Sequence, residues 1–388
     1  MWKRKWILLG IWLISLWIIS NYGGSASYGL FFAITLIPFL SLVYCLCVFI
    51  RFRIYQKIES RDIICRQSVP YYFVLQNEDK YGFASVKARM FSTLSYVEDI
   101  PDDMEYELLP GDRYTYETKL VCRYRGEYEV GIKEVVVTDF FRLFTFKYKT
   151  TETIKALVKP RMIHLDELNS IQDIVAFVQK ENQYADTEPD IVVRDYIAGD
   201  PVSQIHWKAT AKEQKLKVRT RTGEDKQMIC LFFETKRYGK DLLEYLPPEN
   251  QILETTLALG LFLAERAISY TLLSQKTSAV SQTVGSLRDY EALYKSVSQT
   301  QFLQENDIQN ELQSILHQSM THHCKILFGV LSNLTTQILV QFDACLAQGT
   351  VVVLYVVTDE NIDELKKQGN ERLRIITVPV NAELRDIL

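Results

Sequence analysis

The first fifty residues constrain this chain more than any other stretch. Residues 6–20 carry no charge, and residues 28–50 carry none either. Residues 21–27 between them read as a polar, glycine-bearing turn. A helix needs ~20 apolar residues to cross ~30 Å of hydrocarbon. The second run meets that length. The first is short, and Tyr22 with the small residues up to Ala26 extends it. Pro38 falls inside the second run, where a bilayer tolerates a kink. The pattern predicts a transmembrane hairpin over residues 1–57, with spans at about 6–22 and 28–50.

The flanks give an orientation. Lys3, Arg4 and Lys5 precede the first run, Arg51, Arg53 and Lys57 follow the second, and the turn is uncharged. Basic flanks stay in the cytoplasm, so both ends of the hairpin and everything after it are expected on that side. A second reading makes residues 3–5 the n-region of a signal peptide with a cleavage site at Ser25-Ala26-Ser27, leaving one anchor.

The rest of the chain is long enough for two further domains. The balance of 44 basic and 48 acidic residues over the whole chain, with no long basic block, argues against nucleic acid as a partner. Seven cysteines with no CxxC pair argue against a disulfide framework or a zinc knot, and for reduced thiols.

Residues 58–160 alternate in short apolar and polar runs, as in Tyr71, Phe73 and Leu75. Turn markers recur at residues 77–80, 101–103 and 110–112, which predicts an all-β, sandwich-like domain. Arg125-Gly126-Glu127-Tyr128 reads as a tight hairpin. The aromatic bend Asp139-Phe140-Phe141-Arg142-Leu143-Phe144 reads either as a docking patch or as a sandwich edge closing its own core. Residues 161–190 form a linker, with Ile171, Ile174, Val175 and Val178 at helical spacing.

Residues 191–388 alternate strands and helices, which predicts an α/β domain with a mostly parallel sheet. Its helices include one over residues 249–270, and residues 274–286 read as a loop. The densest stretch runs from Val192 to Lys212. Gly199 permits a turn, Asp200 is a natural N-cap, and Pro201 suits a first helical position. Val202, Ile205 and Ala209 then share one helical face.

This stretch resembles a known signature. Arg194-Asp195-Tyr196-x-x-Gly199-Asp200, then Ile205-x-Trp207-Lys208-Ala209-Thr210-Ala211-Lys212 and Leu216-x-Val218-Arg219, is similar to the bacterial family called domain of unknown function 58. Arg125-Gly126-x-Tyr128, Asp139-Phe140 and Lys159-Pro160-Arg161 add to the resemblance, which covers essentially the whole chain. It implies a membrane hairpin in a bacterial cytoplasmic membrane, a β domain and a von Willebrand factor A-like α/β domain. It also implies partners: a MoxR-type AAA+ ATPase and a membrane protein with a transglutaminase-like domain. The expected role is a membrane-anchored scaffold or adaptor in envelope protein assembly or maturation. The alternative is a membrane-tethered hydrolase using Asp195, Asp200 and Lys208 as an acid/base set.

Many von Willebrand A domains hold a cation through D-x-S-x-S after the first sheet strand. Here Glu234-Thr235-Lys236-Arg237-Tyr238 stands at that place, and Ser332-Asn333 follows a later strand. Lys236 brings its own charge and Asn333 offers no carboxylate, so Glu234, Lys236 and Asn333 read as a degenerate site without metal. Thr321-His322-His323-Cys324 is the one His/Cys cluster, and it enters a strand whose neighbours point to opposite faces. No phosphate-binding glycine loop occurs, and neither catalytic residues nor a cofactor are expected. Within the signature, Asp195, Asp200 and Lys208 are expected in a buried polar network, with Trp207 wedged among apolar neighbours.

Overall fold

A computed structural model describes residues 2–101, 104–149, 153–166, 168, 191–195, 205–221, 229–273, 281–322 and 324–387. The chain divides into two compact units, Met1–Arg161 and Met162–Leu388.

The first unit begins with α1 (Trp2–Tyr22) and α2 (Ser25–Arg51). Both are long and apolar enough to cross a membrane, and most of their side chains are left uncovered by the fold. Gly23 and Gly24 join them at φ 57° and 94°, a backbone region open to glycine at no steric cost. Trp12 Nε1 donates to Thr35 Oγ1 at 3.0 Å and pins the two helices together.

The helix α2 does more than reach a bilayer. Phe52 alone separates it from β1 (Arg53–Ile58). Cys45, Val48 and Phe52 lie on one face and are buried in the core of the β domain. The expected boundary at residues 57/58 is therefore corrected: the last turns of α2 and residues 53–58 belong to the β body. An apolar helical face looks the same in sequence whether lipid or protein covers it.

That body has two four-stranded antiparallel sheets over one core. One holds β1, β3 (Ser68–Gln76), β7 (Arg113–Cys122) and β5 (Ser95–Val97), in that order. The other orders β10 (Thr145–Lys149), β9 (Ile132–Thr138), β4 (Phe83–Met90) and β6 (Glu105–Leu108). A third sheet places β11 (Ile154–Lys159) between β2 (Asp62–Ile64) and β8 (Gly126–Val130). On β3, Tyr71, Phe73 and Leu75 point inward and are fully buried, as a period of two requires.

Two local readings change. Arg125-Gly126-Glu127-Tyr128 does not close a hairpin, because β7 and β8 lie in different sheets. Instead the chain switches sheets here, and Tyr128 OH donates to the Tyr124 carbonyl at 2.7 Å across the corner. Gly131 repeats the manoeuvre between β8 and β9 at φ 82°, where a Cβ would meet Gln56 and the Tyr71 hydroxyl. In the aromatic bend, Asp139 and Leu143 are buried, but the fold leaves most of Phe140 and Phe141 uncovered. The bend closes the core with only part of its apolar content.

The second unit is built on a six-stranded sheet, order β16-β15-β14-β17-β18-β19. The strands are β14 (Ile229–Phe233), β15 (Tyr270–Leu272), β16 (Gln282–Val284), β17 (Ile326–Leu331), β18 (Val351–Val357) and β19 (Leu373–Val378). The β15–β16 pair is antiparallel, and the other pairings are parallel. Alternate residues of the central strands feed two cores: Leu231, Phe328 and Tyr355 on one face, Phe232, Leu327 and Leu354 on the other. Helices cover both faces, which is why these strands read as unbroken apolar runs. The long helix Leu242–Glu265 starts seven residues before its expected start at 249, with Pro247 and Pro248 inside it. The segment read as a loop over residues 274–286 contains β16. The linker helix falls outside the described residues; just before it, Ile163 and Leu165 pack into the core. A separate two-stranded sheet pairs β12 (Ile191–Asp195) with β13 (Lys217–Arg221).

Candidate functional site

In open parallel sheets, ligands gather beyond the carboxyl ends of the strands. A cleft of about 370 Å³ lies at that end of the six-stranded sheet. Lys236, Tyr238, Glu249, Asn333, Thr358 and Asp359 are among its walls.

Glu234 is the first residue after β14, and only 2% of it is exposed. One oxygen accepts from the Tyr238 hydroxyl at 2.6 Å. The other accepts from the Ser332 amide at 2.7 Å and its hydroxyl at 2.9 Å. Burial pushes the carboxyl above its ordinary range, and these donors pull part of the way back. Both oxygens are thus committed to protein donors, and they tie the end of β14 to the loop after β17. Burial also raises the nearby Glu311, whose Oε1 accepts from Thr235 at 3.3 Å.

Lys236 lies over the Tyr238 ring, 5.5 Å from its centre. Asn333 lines the cleft, and its amide also turns toward Glu234. A cation at this spot would face the Lys236 ammonium and a carboxylate already engaged. Among the described residues, no group of three or more His, Cys, Asp or Glu is placed to hold a metal ion.

Sequence reasoning missed an ion pair that fixes one wall residue of the cleft, Glu249. Arg237 clamps Glu249 with two bonds, Nε to Oε1 at 2.6 Å and a terminal nitrogen to Oε2 at 3.1 Å. Its guanidinium also stacks on Tyr245, 4.0 Å from the ring centre. In the sequence this acid stands at the expected start of the helix, between Pro248 and the polar pair Asn250-Gln251, where a carboxylate reads as a solvent-facing first-turn residue. No local signal marks its burial.

The signature residues arrange themselves differently from the expectation. Tyr196, Gly199 and Asp200 lie outside the described residues, as does the expected start of the helix at Pro201. The helix α3 (Trp207–Glu213) begins later, and its N-cap is His206, whose Nδ1 accepts from the Ala209 amide at 3.1 Å. A histidine passed over as a variable slot thus does the capping, and Ile205 is buried just before it. Arg194 and Arg219 belong to the β12–β13 ladder, Arg194 paired with Val218 and Arg219 with Val193.

The buried network expected around Trp207 is overturned, because Trp207 is 64% exposed. Lys208 is exposed beside it. Asp195 is exposed too and pairs with Lys217 at 2.8 Å, while Lys217 also reaches Glu213 at 2.7 Å. The Lys217 ammonium holds the Asp195 carboxyl below its ordinary value. The structure therefore gives Asp195 a different lysine from the one the acid/base set named. Of the His/Cys cluster, His323 lies outside the described residues. Cys324 is buried with its Sγ toward the Ile326 carbonyl, and His322 Nε2 lies 3.4 Å from Ser281.

No family model and no curated protein matches this chain. Its similarities among solved structures are faint. A CARDB domain from Pyrococcus furiosus, crystallised with di-metal ions, is 15% identical, with 28% of this chain and 93% of that one covered at a TM-score of 0.19. A GH20 exo-β-N-acetylglucosaminidase from Vibrio harveyi is 8% identical over 85% and 82% of the two chains, with a TM-score of 0.17. Native α2-macroglobulin from Escherichia coli, from domain MG7 to the C-terminus, is 11% identical over 76% and 41%, with a TM-score of 0.20. At these scores the overlap carries no argument about fold or activity.

Proposed function

We propose that this chain is a membrane-anchored scaffold. The α1–α2 hairpin holds both bodies on the cytoplasmic side of a bacterial membrane, and the α/β body recruits a MoxR-type AAA+ ATPase in envelope protein assembly. The observation that carries this reading is Trp207. A large aromatic left 64% in solvent, on a short helix flanked by exposed Lys208 and Lys212, is the composition of an interaction hot spot.

Two further features support it. With the six strands numbered in their own chain order, the sheet runs 3-2-1-4-5-6 with one antiparallel edge, which favours a von Willebrand A-like body. The Glu234 carboxylate at its strand ends is spent on Tyr238 and Ser332, which favours a body that binds proteins without a metal. The hydrolase alternative gains nothing from Asp195, which is exposed and occupied by Lys217.

The test is co-purification. The full-length chain in mild detergent should retain a co-expressed MoxR-type ATPase from its own genome, and Trp207→Ala should lose it while the fold is kept. Failure of the unaltered chain to retain that ATPase under any nucleotide condition would overturn the reading.

A further inference from the structure

The reach of the hairpin is short. Ser25 to Ser41 on α2 covers sixteen steps, about 24 Å at 1.5 Å per residue. Hydrocarbon is ~30 Å thick. Yet the β body is already in contact at Ser41, whose hydroxyl donates to Asp139 Oδ2. One turn on, the Tyr44 ring packs on Phe140 with centres 4.8 Å apart, and Tyr44 OH donates to the Gly82 carbonyl at 2.9 Å. On α1, the Lys5 ammonium lies 5.7 Å from the centre of the Phe144 ring. The aromatic bend therefore meets both helices before they have covered the thickness of a bilayer.

The bend is also rigid. Asp139 is 1% exposed, and its carboxylate accepts from the amides of Phe141 at 3.0 Å and Phe144 at 2.7 Å. The Arg142 amide closes the turn on the Asp139 carbonyl at 2.9 Å, with Arg142 at φ 55°. Non-glycine residues seldom adopt that backbone, and here the turn bonds hold it. What this frame displays is apolar: Phe140 is 63% exposed and Phe141 56%. A soluble turn gains nothing by holding two phenylalanines in water.

We infer that the bend Asp139-Phe140-Phe141-Arg142 is a membrane wedge, with the two rings seated at the headgroup–acyl boundary of the bilayer that α1 and α2 cross. The inference rests on the reading of that hairpin as membrane-spanning. Aromatic rings gather at this depth, and each ring removed from water there gains free energy in proportion to its apolar area. The exposed Arg142, 3.5 Å from Glu105, and the Lys5 ammonium carry charge at the level of lipid phosphates. The occupant is lipid because the patch is continuous with helices whose own exposed side chains require lipid. Rings pulled into the boundary also relieve the short reach, since a bilayer thins locally over a short span.

The experiment places benzoyl-phenylalanine at single positions of the full-length chain, reconstituted into phosphatidylethanolamine–phosphatidylglycerol vesicles and irradiated. Phe141 is the test position, exposed Phe32 on α2 the span control, and exposed Leu157 on β11 the solvent control. The expected result is a mass shift of one phospholipid at Phe141 and Phe32, and none at Leu157. Lipid at Phe32 with none at Phe141, or a protein adduct at Phe141, overturns the wedge and leaves the anchor standing. No lipid at Phe32 overturns the anchor itself.

Discussion

Two buried carboxylates in the two bodies are used in opposite ways. Asp139 follows β9, and Glu234 follows β14; each is almost fully buried at the end of a strand. Asp139 accepts from one hydroxyl and two amides and thereby holds two phenylalanines out of the fold. Glu234 accepts from two hydroxyls and an amide and thereby ties together Tyr238 and Ser332, two residues of the cleft wall. Both acids are braces. What differs is the side of the brace that stays open, and function is sought there. Burial of a carboxylate alone does not mark a reactive centre; the count of donors around it decides whether it has capacity left.

The largest effect should fall on the brace that neither acid supplies. Arg237→Ala removes the bidentate donor from Glu249, whose side chain is only 4% exposed. Loss of one partner of such a pair should cost about 3 kcal/mol. Urea titration of the full-length chain, followed by protease resistance of the α/β body, should show the midpoint fall. An unchanged midpoint would reduce this contact to a surface pair and remove the contrast between the bodies. Asp139→Ala comes next. The hydroxyl and two amides it satisfies should cost about 2 kcal/mol together, local to the bend. Amide exchange at Phe141 and Phe144 should then accelerate by about 30-fold. Exchange as slow as before would show that the bend is held by something other than Asp139.

Glu234→Gln sharpens the comparison through pH. Burial raises the Glu234 carboxyl in the folded chain. A raised acid contributes its stability fully below the ordinary value of 4.5, and that contribution is lost as pH rises through the raised one. The α/β body should therefore lose part of its stability from about pH 4.5 toward neutrality, and the glutamine variant should show a flatter slope. Parallel pH profiles for the two proteins would mean that Glu234 ionises as freely folded as unfolded.

How much of this was legible depends on what covers each residue. Two apolar helices, short alternating strands and apolar parallel strands follow from periodicity, because one period of side chains must meet one kind of surface. The same logic could not place the end of the span. Cys45 and Val48 satisfy a helical apolar face equally well against lipid or against the β core. Nor could it find β16, since Gln282-Thr283-Val284 is too short and polar to announce a strand, and pairing with Tyr270–Leu272 decides it. Arg237 and Glu249 are twelve residues apart, and the helix starts at Leu242, ahead of Pro247 and Pro248, where the expected helix began only at 249. Trp207 was misplaced for the opposite reason. Aromatic residues inside a dense motif are expected to pack, whereas this one is the first residue of α3, directly after its His206 cap, and lies exposed.

That exposure sets the smallest stability effect and the sharpest functional one. Trp207→Ala removes no buried contact area of consequence, so unfolding should move by no more than about 0.5 kcal/mol, as for surface substitutions in general. Binding should respond very differently. A tryptophan at the centre of an interface is commonly worth 2 kcal/mol or more, about a thirtyfold loss of affinity. Lys208→Ala, one residue along on the same exposed helix, should weaken association less and do so in a salt-dependent way, because screening acts on charge and spares apolar contact. Titration of the solubilised chain and both variants against the co-expressed ATPase measures the two together. Equal affinity for all three proteins would move the docking surface off α3.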